Sequence, residues 1–217
     1  RRVSERTKEK IMMKTIADRD NWEFKPDDIN VWDNFFTNEC LKILKHRVLY
    51  AKHFDLEYKN YYSIDYFKNE DYLSELIAHQ LSAKIPLPPF KRAWSFVYHV
   101  HEGEGVYLHS DPSIINLNIW VSGDDIVKDK SKNGLTIYKV RPPEDWTRKD
   151  WNNNAEKSLE YVKSKNVQPT EVPYKSNRAI FFDVAYFDDS NGIYTRGGFE
   201  NQRVSYTMLF GEPGWSK

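Results

Sequence analysis

The spacing of hydrophobic residues changes along the chain from a helical repeat to strict alternation. In the first third, apolar residues recur every three or four positions, which predicts two helices, one capped by Thr37 and one by Asn69. The proline-rich segment 85–89 ends this pattern. Beyond it, apolar and polar residues alternate with the two-residue period of β-strands. Five segments show this strand pattern: 94–100, 115–121, 135–140, 178–183 and 204–210.

The order of these elements predicts the fold class. Helices followed by strands favour a mainly β domain with flanking helices, built as an antiparallel barrel or sandwich. Residues 141–173 form a polar insertion between strands, with one short helix predicted near 155–164. Residues 1–27 are charge-dense and have few regularly spaced apolar positions, so we expect a loosely held arm there. Residues 28–217 then have the length of one domain.

Composition limits the classes of partner. Thirty-two basic and thirty-two acidic residues leave no net charge to attract nucleic acid or an anionic membrane. One cysteine excludes an internal disulfide, and no apolar run could span a bilayer. We therefore expect a cytoplasmic protein. The 15% aromatic content also suits a module that binds glycans or peptides on exposed rings, and Trp146 and Trp151 of the insertion are candidates to line a substrate lid.

The most informative short motif is His109-Ser110-Asp111. On a strand, the two-residue period places the imidazole of His109 and the carboxylate of Asp111 on one face, where both can bind one metal ion. Such a pair resembles the first two ligands of an iron-binding facial triad. His109 is the last histidine of the chain, so a downstream histidine is not available as the third ligand. A hydrogen-bonded histidine at a sheet edge is the simpler alternative.

Arg203 and Ser205 show the same spacing near the end of the chain. A guanidinium with a hydroxyl two residues further on is a suitable receptor for a carboxylate. A metal pair on one strand and this receptor on another would suit a 2-oxo acid that chelates the metal at one end and pairs with arginine at the other. A surface ion pair is the alternative role for Arg203.

Several segments together resemble the superfamily of iron(II)- and 2-oxoglutarate-dependent oxygenases. The similarity runs from about residue 28 to 211 and implies a double-stranded β-helix, which is a jelly roll with supporting helices. By this resemblance, His109 and Asp111 correspond to the first two Fe(II) ligands. Arg203 and Ser205 correspond to the receptor for the 2-oxoglutarate carboxylate, and Asn118 to a residue on the pocket face that contacts the co-substrate. The resembling segments are 107–111, 115–122, 133–138, 174–183 and 198–207.

The chain departs from the superfamily at the third metal ligand. Where the family has phenylalanine followed by histidine, this chain has Phe187 and Asp188. Asp188 could itself bind the metal, giving a His/Asp/Asp site, because Fe(II) tolerates carboxylate ligands. Alternatively, the site is degenerate and binds a ligand without turnover, or the aspartate was introduced to abolish activity. His99 or His101 could also act as a replacement ligand, although both also suit the polar face of an edge strand.

The resemblance also implies a reaction. Halogenating relatives are expected to lack the carboxylate of the H-x-D motif, whereas Asp111 is present here. The sequence therefore predicts a dioxygenase that uses Fe(II) and 2-oxoglutarate to hydroxylate an unidentified small-molecule or side-chain substrate. The alternative is a catalytically degenerate protein of the same fold that acts as a ligand-binding module.

Overall fold

A seven-stranded antiparallel sheet is the largest element of the protein, whose computed structural model describes residues 13–66 and 71–211. Its strands lie in the order β1-β9-β6-β12-β4-β3-β2. Alternating apolar and polar residues in the long strands give the sheet two different faces. The strands are β1 (Asn30–Trp32), β2 (Leu56–Glu57), β3 (Tyr61–Asp65), β4 (Phe90–Tyr98), β6 (Ile115–Trp120), β9 (Ala179–Asp183) and β12 (Arg203–Phe210).

Smaller sheets form the second layer. One has three strands, β7 (Leu135–Tyr138), β8 (Thr170–Val172) and β10 (Phe187–Ser190), in the order β10-β7-β8. The other pairs β5 (Glu102–Gly103) with β11 (Ile193–Tyr194). Apolar side chains from both layers form a shared buried cluster, which includes Trp120, Ile137 and Phe182. This arrangement confirms the predicted double-stranded β-helix.

Two helices cover the opposite face of the large sheet. They are α1 (Asn38–Leu49) and α2 (Tyr72–Ser82), and their apolar faces share the main core with the side chains of β6 and β12 that point towards them. Thr37 caps α1 as predicted, with its side chain accepting a hydrogen bond from the Cys40 amide. The predicted cap of α2 is wrong: Asp71 caps this helix, and Asn69 lies outside the described residues.

The insertion contains two short helices, α3 (Arg148–Trp151) and α4 (Ala155–Ser164). The second occupies the predicted residues. Trp151 is only 4% exposed and packs with Leu108, Val162 and Phe187 in a buried group that we call the rear cluster. Trp146 packs against this cluster as well. The two tryptophans therefore anchor the insertion, and the expectation that they line a substrate lid is wrong.

The described part of the N-terminal arm, residues 13–27, is packed on the domain. Ile16 forms an antiparallel bridge with Phe36, and Trp22 and Phe24 contact the main core. Both rings also pack against Trp32, with ring centres 5.6 Å apart for Trp22 and 6.3 Å apart for Phe24. The expectation of a loosely held arm is therefore wrong for these residues. The boundary at residue 28 stays a prediction.

None of the helices in residues 13–66 and 71–211 combines the length and apolar character needed to cross a membrane.

Candidate functional site

The backbone places His109 directly opposite Asp188. Each residue's amide donates a hydrogen bond to the other's carbonyl, at 3.0 Å from His109 and 2.9 Å from Asp188. Directly opposed residues of an antiparallel pair point to the same side. Their chain neighbours Leu108 and Phe187 point to the other side, into the rear cluster. His109 and Asp188 therefore both face the space between the two layers.

Asp111 completes a close pair with His109. The Nε2 atom of His109 lies 3.6 Å from Oδ2 of Asp111, and the two side chains are 19% and 17% exposed. The other ring nitrogen, Nδ1, lies 2.9 Å from the Tyr107 carbonyl oxygen, which turns Nε2 towards the carboxylate. Burial acts to lower the pKa of His109, but the charges of Asp188 and Asp111 outweigh it and raise that pKa well above its ordinary value. The negative charges of Asp111 and Asp188 thus favour a cation beside His109, either a proton or a metal ion.

Asp188 is a buried carboxylate, 5% exposed, that makes no side-chain hydrogen bond to any residue the structure describes. Burial, followed by repulsion from Asp111 and Asp189, raises its pKa to about 7, while His109 acts in the opposite direction. Burying an ionised carboxylate without a partner is costly. A metal ion or a proton would relieve this cost.

The three side chains do not form a complete metal site as they stand. Within residues 13–66 and 71–211, no three His, Cys, Asp or Glu side chains lie close enough together to hold a metal ion. The structure brings His109 and Asp111 together and places Asp188 on the adjoining strand. An imidazole nitrogen and carboxylate oxygens are suitable donors for Fe(II), so the donor set fits this ion. Metal binding by the three residues stays a prediction.

Arg203, Ser205 and Asn118 share one face of the large sheet. Ser205 pairs with Trp120, and Thr207 pairs with Asn118, in the register of β12 against β6. Because residues two apart on a strand point the same way, Arg203, Ser205 and Asn118 all face the second layer. The three side chains thus share one face as expected, but none of them lines the cavity described below, and their role in binding a co-substrate stays a prediction. The Asn118 side-chain oxygen is buried and has no hydrogen-bond partner in the described part of the chain.

Arg203 is deeply buried, with 2% of its surface exposed. Its guanidinium carbon lies 4.9 Å from the ring centre of Tyr98 and 5.9 Å from that of Trp120, and Nη1 donates a hydrogen bond to the Gly192 carbonyl at 3.1 Å. The Nε atom has no partner, and no ion pair with a described carboxylate is formed. Burial lowers the pKa of Arg203. A surface ion pair is therefore the wrong interpretation of this arginine.

A cavity of about 910 Å³ opens beside His109 and Asp111. One side carries an aromatic wall of four residues. The ring centres of Tyr58 and Tyr61 are 4.5 Å apart, and those of Tyr61 and Phe96 are 4.8 Å apart. Residues 148, 152 and 153 of the insertion line another side, whereas Arg203 and Asp188 are not part of the lining. The aromatic wall consists of Tyr58, Tyr61, Trp94 and Phe96.

The sequence did not show that Trp94 and Phe96 line a cavity, because a strand with alternating aromatic residues is just as typical of a buried core. In the structure their small neighbours Ala93, Ser95 and Val97 are buried, and the aromatic rings lie at the cavity. The small size of Ala93 and Ser95 is the signal that could have separated the two faces.

His99 and His101 make contacts other than with His109 and Asp111. The ring of His99 packs on Tyr62, with centres 4.5 Å apart. His101 Nδ1 lies 3.0 Å from the Thr195 hydroxyl, and its Nε2 accepts a hydrogen bond from the Gly198 amide at 3.2 Å. Both ring nitrogens of His101 are thus occupied away from His109.

Comparisons of the sequence with family models and with curated proteins find no match. Solved structures do match in fold. The non-heme alpha-ketoglutarate-dependent carbocyclase SnoK from nogalamycin biosynthesis aligns with a TM-score of 0.59 and 10% identity, over 86% of this chain and 80% of its own. HygX from Streptomyces hygroscopicus, with nickel and 2-oxoglutarate bound, aligns with a TM-score of 0.57 and 9% identity, over 86% and 84%.

AviO1 from Streptomyces viridochromogenes Tue57 aligns with a TM-score of 0.56 and 14% identity, over 88% of this chain and 92% of its own. At such low identities the likeness concerns the course of the backbone rather than individual residues. The chain therefore shares the double-stranded β-helix fold with these three structures.

Proposed function

We propose that this protein is an Fe(II)- and 2-oxoglutarate-dependent dioxygenase that hydroxylates an unidentified small-molecule or side-chain substrate. The observation that carries the proposal is the buried guanidinium of Arg203, which has no carboxylate partner among the described residues. A buried charge without a partner is strongly unfavourable, and a dicarboxylate ligand would supply the missing charge. The hydroxyl of Ser205 shares the same sheet face, as a co-substrate receptor requires.

The metal would be held by His109, Asp111 and Asp188, and the co-substrate by Arg203 and Ser205, with Asn118 contacting it from β6. When bound together, Fe(II) and 2-oxoglutarate supply a centre that uses dioxygen to oxidise C–H bonds while releasing succinate and carbon dioxide. The protein contributes the orientation of the ligands and a buried surrounding.

Two similar structures support the proposed cofactors. HygX was crystallised with nickel and 2-oxoglutarate, and the epimerase SnoN with Fe3+, alpha ketoglutarate and nogalamycin RO. The similar structures also include a carbocyclase, so the fold alone does not select hydroxylation. Hydroxylation is proposed because the carboxylate of Asp111 is retained and because it is the simplest outcome of C–H oxidation.

The cavity beside His109 and Asp111 is the proposed substrate site. Its volume of about 910 Å³ suits a small molecule or the end of a longer chain. The aromatic wall offers ring faces on which an apolar or cyclic part of a substrate can stack. A cytoplasmic location and the absence of nucleic-acid or membrane partners stay predictions from composition.

A second function, ligand binding without turnover, is favoured by one observation. In the part of the chain that the structure describes, the side chains of His109, Asp111 and Asp188 do not lie close enough together to hold a metal ion. A protein that binds 2-oxoglutarate through Arg203 without turnover would need no such site.

Thermal unfolding combined with product analysis separates these functions. Under nitrogen, Fe(II) and 2-oxoglutarate are added singly and together, and the melting temperature is measured; under air, succinate is then quantified. Joint stabilisation together with succinate release supports the dioxygenase. Stabilisation by 2-oxoglutarate without succinate supports the binding module, and no stabilisation by either ligand overturns both.

A further inference from the structure

Asn152, the residue that follows α3, contacts the candidate metal site from the insertion. Its Nδ2 atom donates a hydrogen bond to Oδ1 of Asp111 at 3.1 Å and another to the carbonyl of Ser110 at 2.8 Å. One amide group thus holds both the carboxylate and the backbone of the segment that carries it. Asn152 and Asp111 are 41 residues apart in the chain, so this contact exists only in the folded protein.

These contacts give the two oxygens of Asp111 different roles. Oδ1 receives the hydrogen from Asn152, whereas Oδ2 is the atom that lies 3.6 Å from Nε2 of His109. A carboxylate that is hydrogen-bonded at one oxygen keeps a fixed orientation and presents the other oxygen to a cation. The Asp111 carboxylate therefore directs Oδ2 towards His109, and this is the oxygen that would meet an ion bound there.

The position of Asn152 is itself fixed by its neighbour. The amide of Ser110 donates a hydrogen bond to the Trp151 carbonyl at 3.0 Å, and the Trp151 side chain is buried in the rear cluster. The same cluster contains Leu108 and Phe187, which precede His109 and Asp188 in the chain. One apolar group therefore anchors both chain segments that carry the candidate ligands, and also the residue that orients Asp111.

We propose that Asn152 is a positioning residue for the metal site, and that it fixes the Asp111 carboxylate so that Oδ2 and the His109 imidazole bind the same ion. This inference deepens the proposed function and rests on it. Hydrogen-bond partners of metal-binding carboxylates typically contribute about 10- to 100-fold to metal affinity. The insertion is thus part of the metal site and of the cavity at once.

The test is the affinity of the whole chain for Co(II), a spectroscopically visible substitute for Fe(II), measured by absorbance titration. Asn152→Ala is expected to weaken Co(II) binding by about 10- to 100-fold. Asn153→Ala is the matched control, because Asn153 is the adjacent asparagine, lines the same cavity and makes no hydrogen bond to Asp111. Its Co(II) affinity is expected to equal that of the parent.

A second pair of variants separates positioning from simple loosening of the insertion. Asn152→Leu keeps the side-chain volume but lacks the donor, and it should weaken Co(II) binding as much as Asn152→Ala does. In an Asp111→Ala background, removing Asn152 should cost no further affinity, because its effect passes through that carboxylate.

Unchanged Co(II) affinity in folded Asn152→Ala and Asn152→Leu would overturn the role of Asn152 while leaving the proposed function intact. An additional loss in the Asp111→Ala background would also overturn it, since the effect would then not pass through Asp111. Failure of the parent chain to bind Co(II) would instead overturn the proposed metal site, and the role of Asn152 with it.

Discussion

Replacing Arg203 by methionine tests the central element of the proposed site. The side chain is 2% exposed and its guanidinium has no carboxylate partner among the described residues. A neutral side chain of similar length removes a buried charge that, among the described residues, is compensated by the Gly192 carbonyl and two aromatic rings. Replacing buried charges by apolar groups is often neutral or stabilising. We therefore expect the ligand-free Arg203→Met variant to unfold at the same temperature as the parent or higher.

The effect on ligand binding should be the opposite. With Fe(II) present and 2-oxoglutarate at about 100 times its dissociation constant, binding stabilises the parent by about 2.7 kcal/mol. For a domain of this size, that is a rise of roughly 5–11 °C in melting temperature. Losing one hydrogen bond to a charged group costs about 1.5–3 kcal/mol, equivalent to about 10- to 100-fold in affinity. At the same concentration, the stabilisation of Arg203→Met should therefore fall to about 0.4–1.4 kcal/mol.

The assay is thermal unfolding under nitrogen, with Arg178→Met as the matched arginine control. Arg178 pairs with Asp33 outside the site, so that variant should keep the full increment from 2-oxoglutarate. The reasoning is refuted if 2-oxoglutarate raises the melting temperature of Arg203→Met as much as that of the parent. It is equally refuted if the ligand-free variant loses several kcal/mol of stability, because Arg203 would then be a structural residue.

Three further predictions concern other parts of the chain. Asp188→Ala should weaken Fe(II) binding by at least about tenfold, whereas Asp189→Ala, which removes the adjacent carboxylate from the other face of β10, should not; equal titration curves for both variants would contradict Asp188 as a ligand. The side-chain hydrogen bond from Arg178 lowers the pKa of Asp33 to about 2, so this carboxylate stabilises the fold above pH 4 and loses that contribution as the pH falls towards 2. Because Asp33 is one-third exposed, Asp33→Asn should cost only about 1 kcal/mol at pH 7, and denaturant titrations should show the difference vanishing in acid; a difference that is constant with pH argues against the ion pair. Gly134→Ala would place a methyl group 2.4 Å from a backbone carbonyl oxygen of β8, and should cost about 1–3 kcal/mol in denaturant unfolding, with an unchanged midpoint as the contrary result.

The strands and the fold were accessible from the sequence because alternation and helical spacing are local signals. The period-two segments became β4, β6, β7, β9 and β12, and the insertion helix at 155–164 was found at its observed position. The cap of α2 was missed because two residues able to cap a helix, Asn69 and Asp71, lie two positions apart. An ion pair with Arg47, which only the folded chain provides, adds to the role of Asp71.

The candidate site was also only partly accessible from the sequence. Spacing alone indicated that His109 and Asp111 share a face, and that Arg203 and Ser205 share another. The pairing of His109 with Asp188 depends on strands far apart in the chain, and it was accessible only through the family resemblance. Asn152 lies in a polar segment without periodicity, so no sequence signal distinguishes it from Asn153 or Asn154.

The insertion both lines the cavity and contacts Asp111, and this restricts how the protein could be engineered. Arg148, Asn152, Asn153 and Ala155 border the cavity, and Trp151 and Asn152 of the same segment are hydrogen-bonded to Ser110 and Asp111. Exchanging this segment for a loop of another sequence would therefore also remove the hydrogen bonds to Ser110 and Asp111. A graft that retains Trp151 and Asn152 and varies only Asn153 and Ala155 would keep these hydrogen bonds.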